Sequence, residues 1–252
     1  MNKKIAVITG GNRGLGKNTV LSLASKGIDS VFTYRSHNSE AQVVVDEAAL
    51  LGAKAVAIQL DLSDILGFEE FYEQLKQALD QNWQQSQFNY LINNAGFGLD
   101  NSIMETTESQ FDSLMNVHVK GPFFLTQTLA PLLSNGGRIV NLSTGLTRFV
   151  LPGKAAYATM KGAVEVMTKY MAKELSTRNI TVNVVAPGAI ATDFGGGAMR
   201  DNQAVNDMVS SLTAMGRVGE ADDIGPMIAQ LLGDENRWMT AQRLEVSGGM
   251  LL

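Results

Sequence analysis

A glycine-rich turn, Thr9 to Gly16, lies between the first predicted strand and the first predicted helix. The run Ile5-Ala6-Val7-Ile8 before it is short and apolar, which indicates a buried strand. Glycine lets the backbone turn sharply and approach a pyrophosphate, and the N-terminus of a helix attracts an anion. The turn therefore predicts a dinucleotide-phosphate site, although Gly10, Gly14 and Gly16 depart from the common G-x-G-x-x-G spacing and a plain turn also explains them.

Strand and helix patterns alternate along the rest of the chain, which predicts βαβ units, a parallel sheet and helices on both faces. No linker or repeat divides the 252 residues, so we predict one Rossmann-type, doubly wound α/β domain over residues 1–252. The predicted strands are about Lys4–Thr9, Ser30–Tyr34, Ala55–Gln59, Tyr90–Asn93, Arg138–Leu142, Thr181–Val185 and Arg243–Val246. The predicted helices are about Gly14–Lys26, Ser39–Leu51 (with Ser39 as N-cap), Ile65–Trp83, Glu108–Leu133, Ala155–Ser176 and Ala221–Leu232.

Residues that directly follow the strands are candidates for a site, because ligands of such sheets bind at the carboxyl ends of the strands. Arg35 follows the second strand, where many NAD sites place an acid, and Arg13 lies in the glycine turn. Together the two arginines predict a clamp for a 2′-phosphate and a preference for NADP(H) over NAD(H); the alternative is that both are solvated surface charges. After the third strand, Asp61 can accept a hydrogen bond from an adenine amino group or cap the next helix.

Polar groups that suit carbonyl chemistry follow the fourth and fifth strands. Asn93-Asn94-Ala95-Gly96 can line a cofactor wall or form a plain turn, and Asn141-Leu142-Ser143-Thr144 brings two hydroxyls to the end of a strand. Further on, Tyr157 and Lys161 are four residues apart and share a helix face. A nearby ammonium lowers the pKa of a tyrosine, so we expect Tyr157 to exchange a proton near neutrality.

Composition excludes several classes of function. A net charge of −5 argues against nucleic acid as the main partner, and the absence of cysteine excludes disulfides, thiolate catalysis and cysteine zinc sites. The two histidines, His37 and His118, do not have metal-ligand spacing, so no metal is predicted. The apolar run after Lys3-Lys4 is shorter than the roughly 7–15 residues of a secretion signal, and no segment approaches the roughly 18 apolar residues of a membrane span. We expect a soluble, cytoplasmic protein.

Five motifs in the expected order resemble the short-chain dehydrogenase/reductase family, and the resemblance covers essentially the whole chain. They are Thr9-Gly10-x-x-x-Gly14-x-Gly16, Asn93-Asn94-Ala95-Gly96, Asn116 in Asn-Val-His-Val-Lys-Gly, Tyr157-x-x-x-Lys161 and Pro187-Gly188-Ala189-Ile190-Ala191-Thr192. Within the family the chain is similar to 3-oxoacyl-carrier-protein reductases and related carbonyl reductases. The resemblance also implies a homotetramer or a homodimer.

The resemblance implies a role for each matching residue. Tyr157 would protonate the substrate oxygen, Lys161 would bond the nicotinamide ribose, and Asn116 would hold a water that relays protons to Lys161. The residues implied to bind the cofactor are Gly10, Asn12, Arg13, Gly14, Leu15, Gly16, Arg35, Asp61, Leu62, Asn93, Ala95, Gly96, Tyr157, Lys161, Pro187, Gly188, Ile190 and Thr192.

Thr144 departs from the family pattern, which usually has a serine thirteen residues before the tyrosine to orient the substrate carbonyl. A threonine hydroxyl donates and accepts like that of serine, so we assign this role to Thr144. Ser143 is the alternative, although alternation along the strand directs it to the other side.

The long segment Asp193–Met215, with glycines at 195, 196 and 197, predicts a substrate lid or, alternatively, a disordered surface loop. Phe97, Leu146 and Phe149 make the predicted substrate pocket apolar. The leading functional hypothesis is an NADPH-dependent reductase of ketones or aldehydes. An alcohol or polyol dehydrogenase and a non-catalytic NADP(H)-binding sensor are the alternatives.

Overall fold

Seven parallel strands form one sheet in the computed structural model, which describes residues 3–252. In chain order they are β1 (Ile5–Ile8), β2 (Asp29–Tyr34), β3 (Ala55–Gln59), β4 (Phe88–Asn93), β5 (Leu133–Leu142), β6 (Thr181–Pro187) and β7 (Arg243–Val246). Their spatial order is β3-β2-β1-β4-β5-β6-β7. The strand order reverses between β1 and β4, and this leaves a crevice at the carboxyl ends where ligands bind. The prediction of a doubly wound parallel sheet is confirmed.

Helices cover both faces of the sheet. They are α1 (Gly14–Ala24), α2 (Asn38–Leu50), α3 (Phe68–Trp83), α4 (Glu108–Met115), α5 (Gly121–Leu129), α6 (Ala155–Glu174), α7 (Ala198–Asp201), α8 (Gln203–Ser211) and α9 (Gly225–Leu231). A π-helical turn, Asn116–Lys120, joins α4 to α5.

Two apolar cores lie on opposite faces of the sheet, because successive side chains of a strand point to opposite sides. On one face Val7 and Ile139 pack with residues of α3, α5 and α6, whereas on the other Ile8 and Val140 pack with residues of α1, α2 and α9. Both faces of the central strands are therefore buried, as the continuous apolar run of β1 predicts.

The end of one predicted helix and the N-cap of another are wrong. The helix predicted to reach Leu133 ends as α5 at Leu129, followed by a 3₁₀ turn that contains Pro131. Proline has no N–H to continue the helix, and Leu133 already pairs with Phe88 as the first residue of β5. Ser39 does not cap α2, which begins at Asn38.

The predicted lid segment is largely helical. A 3₁₀ turn, Phe194–Gly197, leads into α7 and α8, and Val209 of α8 is buried against Val218 and Met250. Gly195, Gly196 and Gly197 have φ values of 63°, 74° and 78°, in the left-handed region that favours glycine. The glycines therefore set a sharp turn between β6 and the two short helices. No helix within residues 3–252 is long and apolar enough to cross a membrane.

Candidate active site

A cavity of about 570 Å³ lies at the carboxyl ends of the strands and runs from the glycine turn to Tyr157 and the segment after β6. It brings together nearly all of the residues that the sequence predicts for the site. Those that line it are Gly10, Asn12, Arg13, Gly14, Leu15, Gly16, Arg35, Asp61, Leu62, Ala95, Gly96, Ser143, Thr144, Tyr157, Lys161, Pro187, Gly188, Ile190 and Thr192. Asn93 and Asn116 are not among them.

The glycine turn brings α1 close to the first strand. A Cβ on Gly16 would overlap the Gly10 carbonyl oxygen and lie 2.6 Å from Asn94 Nδ2, so no larger residue fits there. Gly10 and Gly14 have φ values of 66° and 54°. Arg13, at the N-cap of α1, makes no side-chain cap, so the first N–H groups of the helix remain available to an anion.

Asn94, and not Asn93, is the asparagine that shapes the glycine turn. Asn94 Nδ2 donates to the carbonyl oxygens of Thr9 (2.9 Å) and Gly10 (3.1 Å). Asn93 is buried, and its Nδ2 donates to Asn141 Oδ1 at 2.8 Å and to Thr126 Oγ1 at 3.2 Å. The predicted contact between Asn93 and a cofactor is thus corrected: this amide ties β4 to β5 inside the sheet.

Asp61 lines the cavity and also stabilises its own turn. Its Oδ1 accepts hydrogen bonds from the backbone N–H and the hydroxyl of Ser63, at 2.9 and 2.7 Å. The cap of the next 3₁₀ turn is Asp64, which accepts from the N–H of Leu66. The predicted helix-capping alternative for Asp61 therefore belongs to Asp64.

Tyr157 and Lys161 are buried one turn apart on α6, with Lys161 Nζ 5.7 Å from the centroid of the Tyr157 ring. Nζ donates to the Leu142 carbonyl oxygen at 2.8 Å. Burial lowers the pKa of Lys161 to about 7 and raises the pKa of Tyr157 above its usual range. The lowering predicted for the Tyr157 pKa is therefore not seen in this structure, in which burial shifts the pKa of the phenol in the opposite direction. Tyr157 is protonated at neutral pH, which is the form that donates a proton.

Ser143 and Thr144 have different hydrogen-bond partners. Ser143 Oγ donates to Glu165 Oε1 at 2.7 Å, and the same oxygen accepts from Thr147 Oγ1 and Arg243 Nε. Thr144 Oγ1 accepts a 3.3 Å hydrogen bond from the N–H of Leu146, and its own hydroxyl donates to no other residue within 3–252. Both line the cavity, but only the Thr144 hydroxyl has a free proton to offer a ligand.

His118 lies beside the Tyr157–Lys161 pair. Its side chain is 1% exposed, and its ring lies edge-on to Tyr157 with the centroids 5.3 Å apart. Buried Leu114 lies in the same apolar cluster as Tyr157. Asn116 begins the π-helical turn Asn116–Lys120 and is not among the residues that line the cavity, so the role that the resemblance implies for it stays a prediction.

Aromatic rings enclose Tyr157 at the outer end of the cavity. Phe194, in the segment after β6, has its ring centroid 5.9 Å from that of Tyr157, and Phe97 lies 5.5 Å from the ring of His118. A Cβ on Gly98 would lie 2.9 Å from the Phe194 ring, so the loop after β4 and the segment after β6 meet there. The remaining lining of this end is mostly apolar, with Leu99, Leu146, Phe149, Leu151, Met199, Val209 and Met250.

The doubly wound sheet, the glycine turn and the buried tyrosine–lysine pair define a Rossmann-type oxidoreductase. A family model described as enoyl-(acyl carrier protein) reductase matches residues 10–251. The chain belongs to the short-chain dehydrogenase/reductase family, as its five motifs predict.

Three similar proteins cover nearly the whole chain. The 3-oxoacyl-[acyl-carrier-protein] reductase FabG of Staphylococcus epidermidis is 34% identical over 254 residues, which are 100% of each chain. The structure of LugOII, a promiscuous reductase that catalyses keto-reduction at C1 during lugdunomycin biosynthesis, has a TM-score of 0.94 and 35% identity, covering 100% of this chain and 99% of that one. The angucycline C-6 ketoreductase LanV, with bound NADP, has a TM-score of 0.93 and 31% identity, covering 98% and 95%.

Proposed function

We propose that the protein is an NADPH-dependent ketoreductase that reduces a bulky, apolar ketone or aldehyde to the alcohol. The observation that carries the proposal is the position of Tyr157, which is buried between a nucleotide cleft and an apolar, aromatic chamber. A phenol and a free threonine hydroxyl that line the same cavity suit the reductive direction, in which the carbonyl oxygen must gain a proton.

The nucleotide end of the cavity fits a phosphorylated dinucleotide. The uncapped start of α1, which the close packing of Gly16 against Gly10 brings to the end of β1, suits a pyrophosphate. Arg13 and Arg35 are exposed on the cavity rim, and neither forms an ion pair with any residue of the described range 3–252. Two arginines without acidic partners suit a 2′-phosphate, and LanV, which is similar over nearly the whole chain, binds NADP.

Thr144, Tyr157 and Lys161 each have a separate role in the proposed reduction. A bound reduced nicotinamide supplies the hydride that forms the new C–H bond. Thr144 donates a hydrogen bond to the carbonyl oxygen and holds it in place, and Tyr157 transfers its phenolic proton to that oxygen, so that one hydride and one proton complete the alcohol. Lys161, kept in position by the Leu142 carbonyl, stabilises the tyrosinate that remains.

The aromatic chamber supports a flat, bulky ketone as substrate. Phe194 and Phe97 flank the two sides of the Tyr157–His118 pair, and aromatic rings pack favourably against other rings. LugOII and LanV, both ketoreductases, are similar to this chain over nearly its whole length. Similarity to FabG at 34% identity makes a 3-oxoacyl thioester the second candidate.

The segment Asp193–Met215 is proposed as a lid over this chamber. Its Phe194 closes against Tyr157, and Met199 and Val209 form part of the lining. A turn of three glycines lets such a segment change its backbone angles more readily than other residues would.

A homotetramer, or a homodimer, remains the proposed assembly, in the cytoplasm. Several apolar side chains of α4, α5 and α6 are exposed and suit an interface between copies. They are Phe111, Met115, Phe123, Val166 and Tyr170.

Turnover on a panel of carbonyl compounds tests the proposed reaction. NADPH consumption would be followed with an aryl ketone, an α-keto ester and an acetoacetyl thioester, with NADH in parallel. We expect the aryl ketone to be reduced fastest and NADPH to be preferred. Turnover on the thioester alone would favour acyl-chain reduction. Tight NADPH binding without turnover would favour the sensor or, if alcohols are oxidised, a dehydrogenase.

Replacing Arg13 and Arg35 by alanine together is expected to raise the KM for NADPH about 10- to 100-fold and to leave the KM for NADH within about twofold. Each arginine contributes a charge-assisted hydrogen bond only when the 2′-phosphate is present. Steady-state kinetics with both cofactors measure the effect, and Arg237→Ala, an exposed arginine outside the cavity lining, is the matched control. Equal losses with the two cofactors would contradict the proposed clamp.

A further inference from the structure

Glu165, on α6, binds donors from two other parts of the fold. Its Oε1 atom accepts hydrogen bonds from Ser143 Oγ (2.7 Å), Thr147 Oγ1 (2.7 Å) and Arg243 Nε (2.8 Å). Ser143 and Thr147 belong to the segment after β5, whereas Arg243 is the first residue of β7. Hydrogen bonds to a charged acceptor are stronger than those between neutral groups, so this carboxylate joins α6 and β7 to the segment after β5.

Arg243 also binds the backbone of Thr144. Its Nη2 donates to the Thr144 carbonyl oxygen at 3.2 Å and to Thr147 Oγ1 at 3.0 Å. Arg243 and Glu165 form an ion pair whose side chains are only 25% and 20% exposed. A pair that is partly buried is screened much less by salt than a pair at the surface. One shielded ion pair therefore holds both the start and the end of the segment 144–147.

The 3₁₀ turn Gly145–Thr147 sets the orientation of the Thr144 hydroxyl. Thr144 is the N-cap residue of this turn, and its Oγ1 accepts a hydrogen bond from the N–H of Leu146 at 3.3 Å. This bond occupies a lone pair of Oγ1 and leaves the hydroxyl proton for a ligand in the cavity that Thr144 lines. A shift of the turn would move this donor, and a misplacement of about 1 Å can cost about 100-fold in rate.

We propose that Arg243 is a positioning residue for the Thr144 hydroxyl, and that the Arg243–Glu165 pair holds the turn in the position that directs this hydroxyl into the cavity. The inference rests on the proposed ketoreductase function and gives the pair no direct part in the reaction. Within residues 3–252 the cavity lining includes neither Arg243 nor Glu165, so both act through the segment that they hold.

Each of the three guanidinium nitrogens of Arg243 has a partner. The third nitrogen, Nη1, donates to Glu245 Oε2 at 2.9 Å. The Arg148 guanidinium, which donates to the two oxygens of Glu245 at 2.6 and 2.8 Å, lowers the pKa of that carboxyl to about 2. Glu245 therefore carries its charge at neutral pH, and the planar guanidinium of Arg243 is held from three sides.

Arg243→Met tests the role, because methionine keeps an unbranched side chain and removes every donor. We expect kcat for ketone reduction to fall about 10- to 100-fold and the KM for NADPH to stay within about twofold. Arg243→Lys keeps a charged donor for Glu165 but not the guanidinium fork, so we expect it to lose only about three- to tenfold. Steady-state kinetics measure both. A lysine variant as slow as the methionine variant would contradict the proposal.

Arg178→Met is the matched control. Arg178 also joins backbone segments, through the carbonyl oxygens of Ala130 and Leu133, but it lies at the opposite end of β5 from Thr144. Its replacement is expected to lower the Tm and to leave kcat within about twofold. An equal loss of kcat in the Arg178 and Arg243 variants would indicate general destabilisation and overturn the inference.

A double-mutant cycle tests whether Arg243 acts through Thr144. In Thr144→Val the hydroxyl to be positioned is absent, so adding Arg243→Met is expected to cost less than about threefold further. The same 10- to 100-fold loss in both backgrounds would show that Arg243 acts by another route and would reject the inference. If Arg243→Met does not fold, Glu165→Gln, which keeps the side-chain size and removes the charge, takes its place in the cycle.

Amide hydrogen exchange measures the turn without any turnover. The N–H of Leu146 donates to Thr144 Oγ1, and the N–H of Arg148 donates to the Gly145 carbonyl oxygen at 2.9 Å. Both amides are protected only while the turn keeps its shape. Mass spectrometry of a peptide that spans residues 143–149 follows their exchange.

This exchange separates the inference from the proposed function. We expect it to be at least about tenfold faster in Arg243→Met than in the wild type and unchanged in Arg178→Met. Unchanged exchange in Arg243→Met would reject the role of Arg243 whatever the enzyme reduces. Faster exchange in a protein that reduces no carbonyl compound would support the hold of Arg243 on the turn and reject the proposed reaction.

Discussion

The Tyr157→Phe variant is expected to lose at least about 1,000-fold in kcat for ketone reduction while binding NADPH within about twofold of the wild type. Removal of the phenol oxygen leaves no group to protonate the carbonyl oxygen, because the Lys161 Nζ is bonded to the Leu142 carbonyl. The ring itself remains, so its packing against His118 and Phe194 is preserved.

Stopped-flow and steady-state measurements of NADPH oxidation give kcat, and a fluorescence titration with NADPH gives its binding affinity. Tyr72→Phe is the matched control, because Tyr72 lies on α3 outside the cavity and the ring of the variant keeps its packing against the core. Its turnover is expected to equal that of the wild type. Retained turnover in Tyr157→Phe would reject Tyr157 as the proton donor.

The second large effect is expected for Thr144→Val, which keeps the β-branched shape and removes the hydroxyl. Loss of one preorganised donor to a developing oxyanion costs about 100- to 1,000-fold in kcat. Thr144→Ser is expected to retain activity within about threefold, because its hydroxyl has the same donor capacity. Values of kcat and KM on the best ketone of the panel measure both effects.

Ser143→Ala distinguishes the two hydroxyls. Ser143 already donates to Glu165, which keeps Thr147 and Arg243 as further partners when the serine hydroxyl is removed. We expect kcat in Ser143→Ala to change by less than about threefold. A larger loss in Ser143→Ala than in Thr144→Val would instead make Ser143 the residue that orients the carbonyl.

Features that depend on short stretches of sequence could be predicted. The apolar run of β1 and the glycines after it indicate a buried strand and a close approach of backbone segments, and both signals are local. Tyr157 and Lys161 are four residues apart, so a single helix places them on one face without any tertiary information. The parallel sheet and the position of the cavity at its carboxyl ends follow from the alternation of strands and helices, whereas the spatial order of the strands comes from the structure.

Features that depend on tertiary packing could not be predicted as well. The contact between the buried His118 ring and Tyr157, for example, depends on how the π-helical turn packs against α6. The pKa of Tyr157 depends on the sum of burial and charge, and the sequence shows only the charge. Asn93 and Asn94 are adjacent in sequence, and which of them faces the cavity depends on where β4 ends.

The strand order reverses between β1 and β4, and the residues proposed to bind the 2′-phosphate and those that line the chamber lie on different sides of this point in the chain. Arg13 and Arg35, which are proposed to choose the cofactor, belong to the first half, before β4. Phe149 and Phe194, which shape the chamber, follow β5 and β6 in the second half. The residues proposed to set cofactor choice and those proposed to set substrate choice thus lie in separate stretches of the gene, so we expect recombination or directed evolution to exchange one property and leave the other in place.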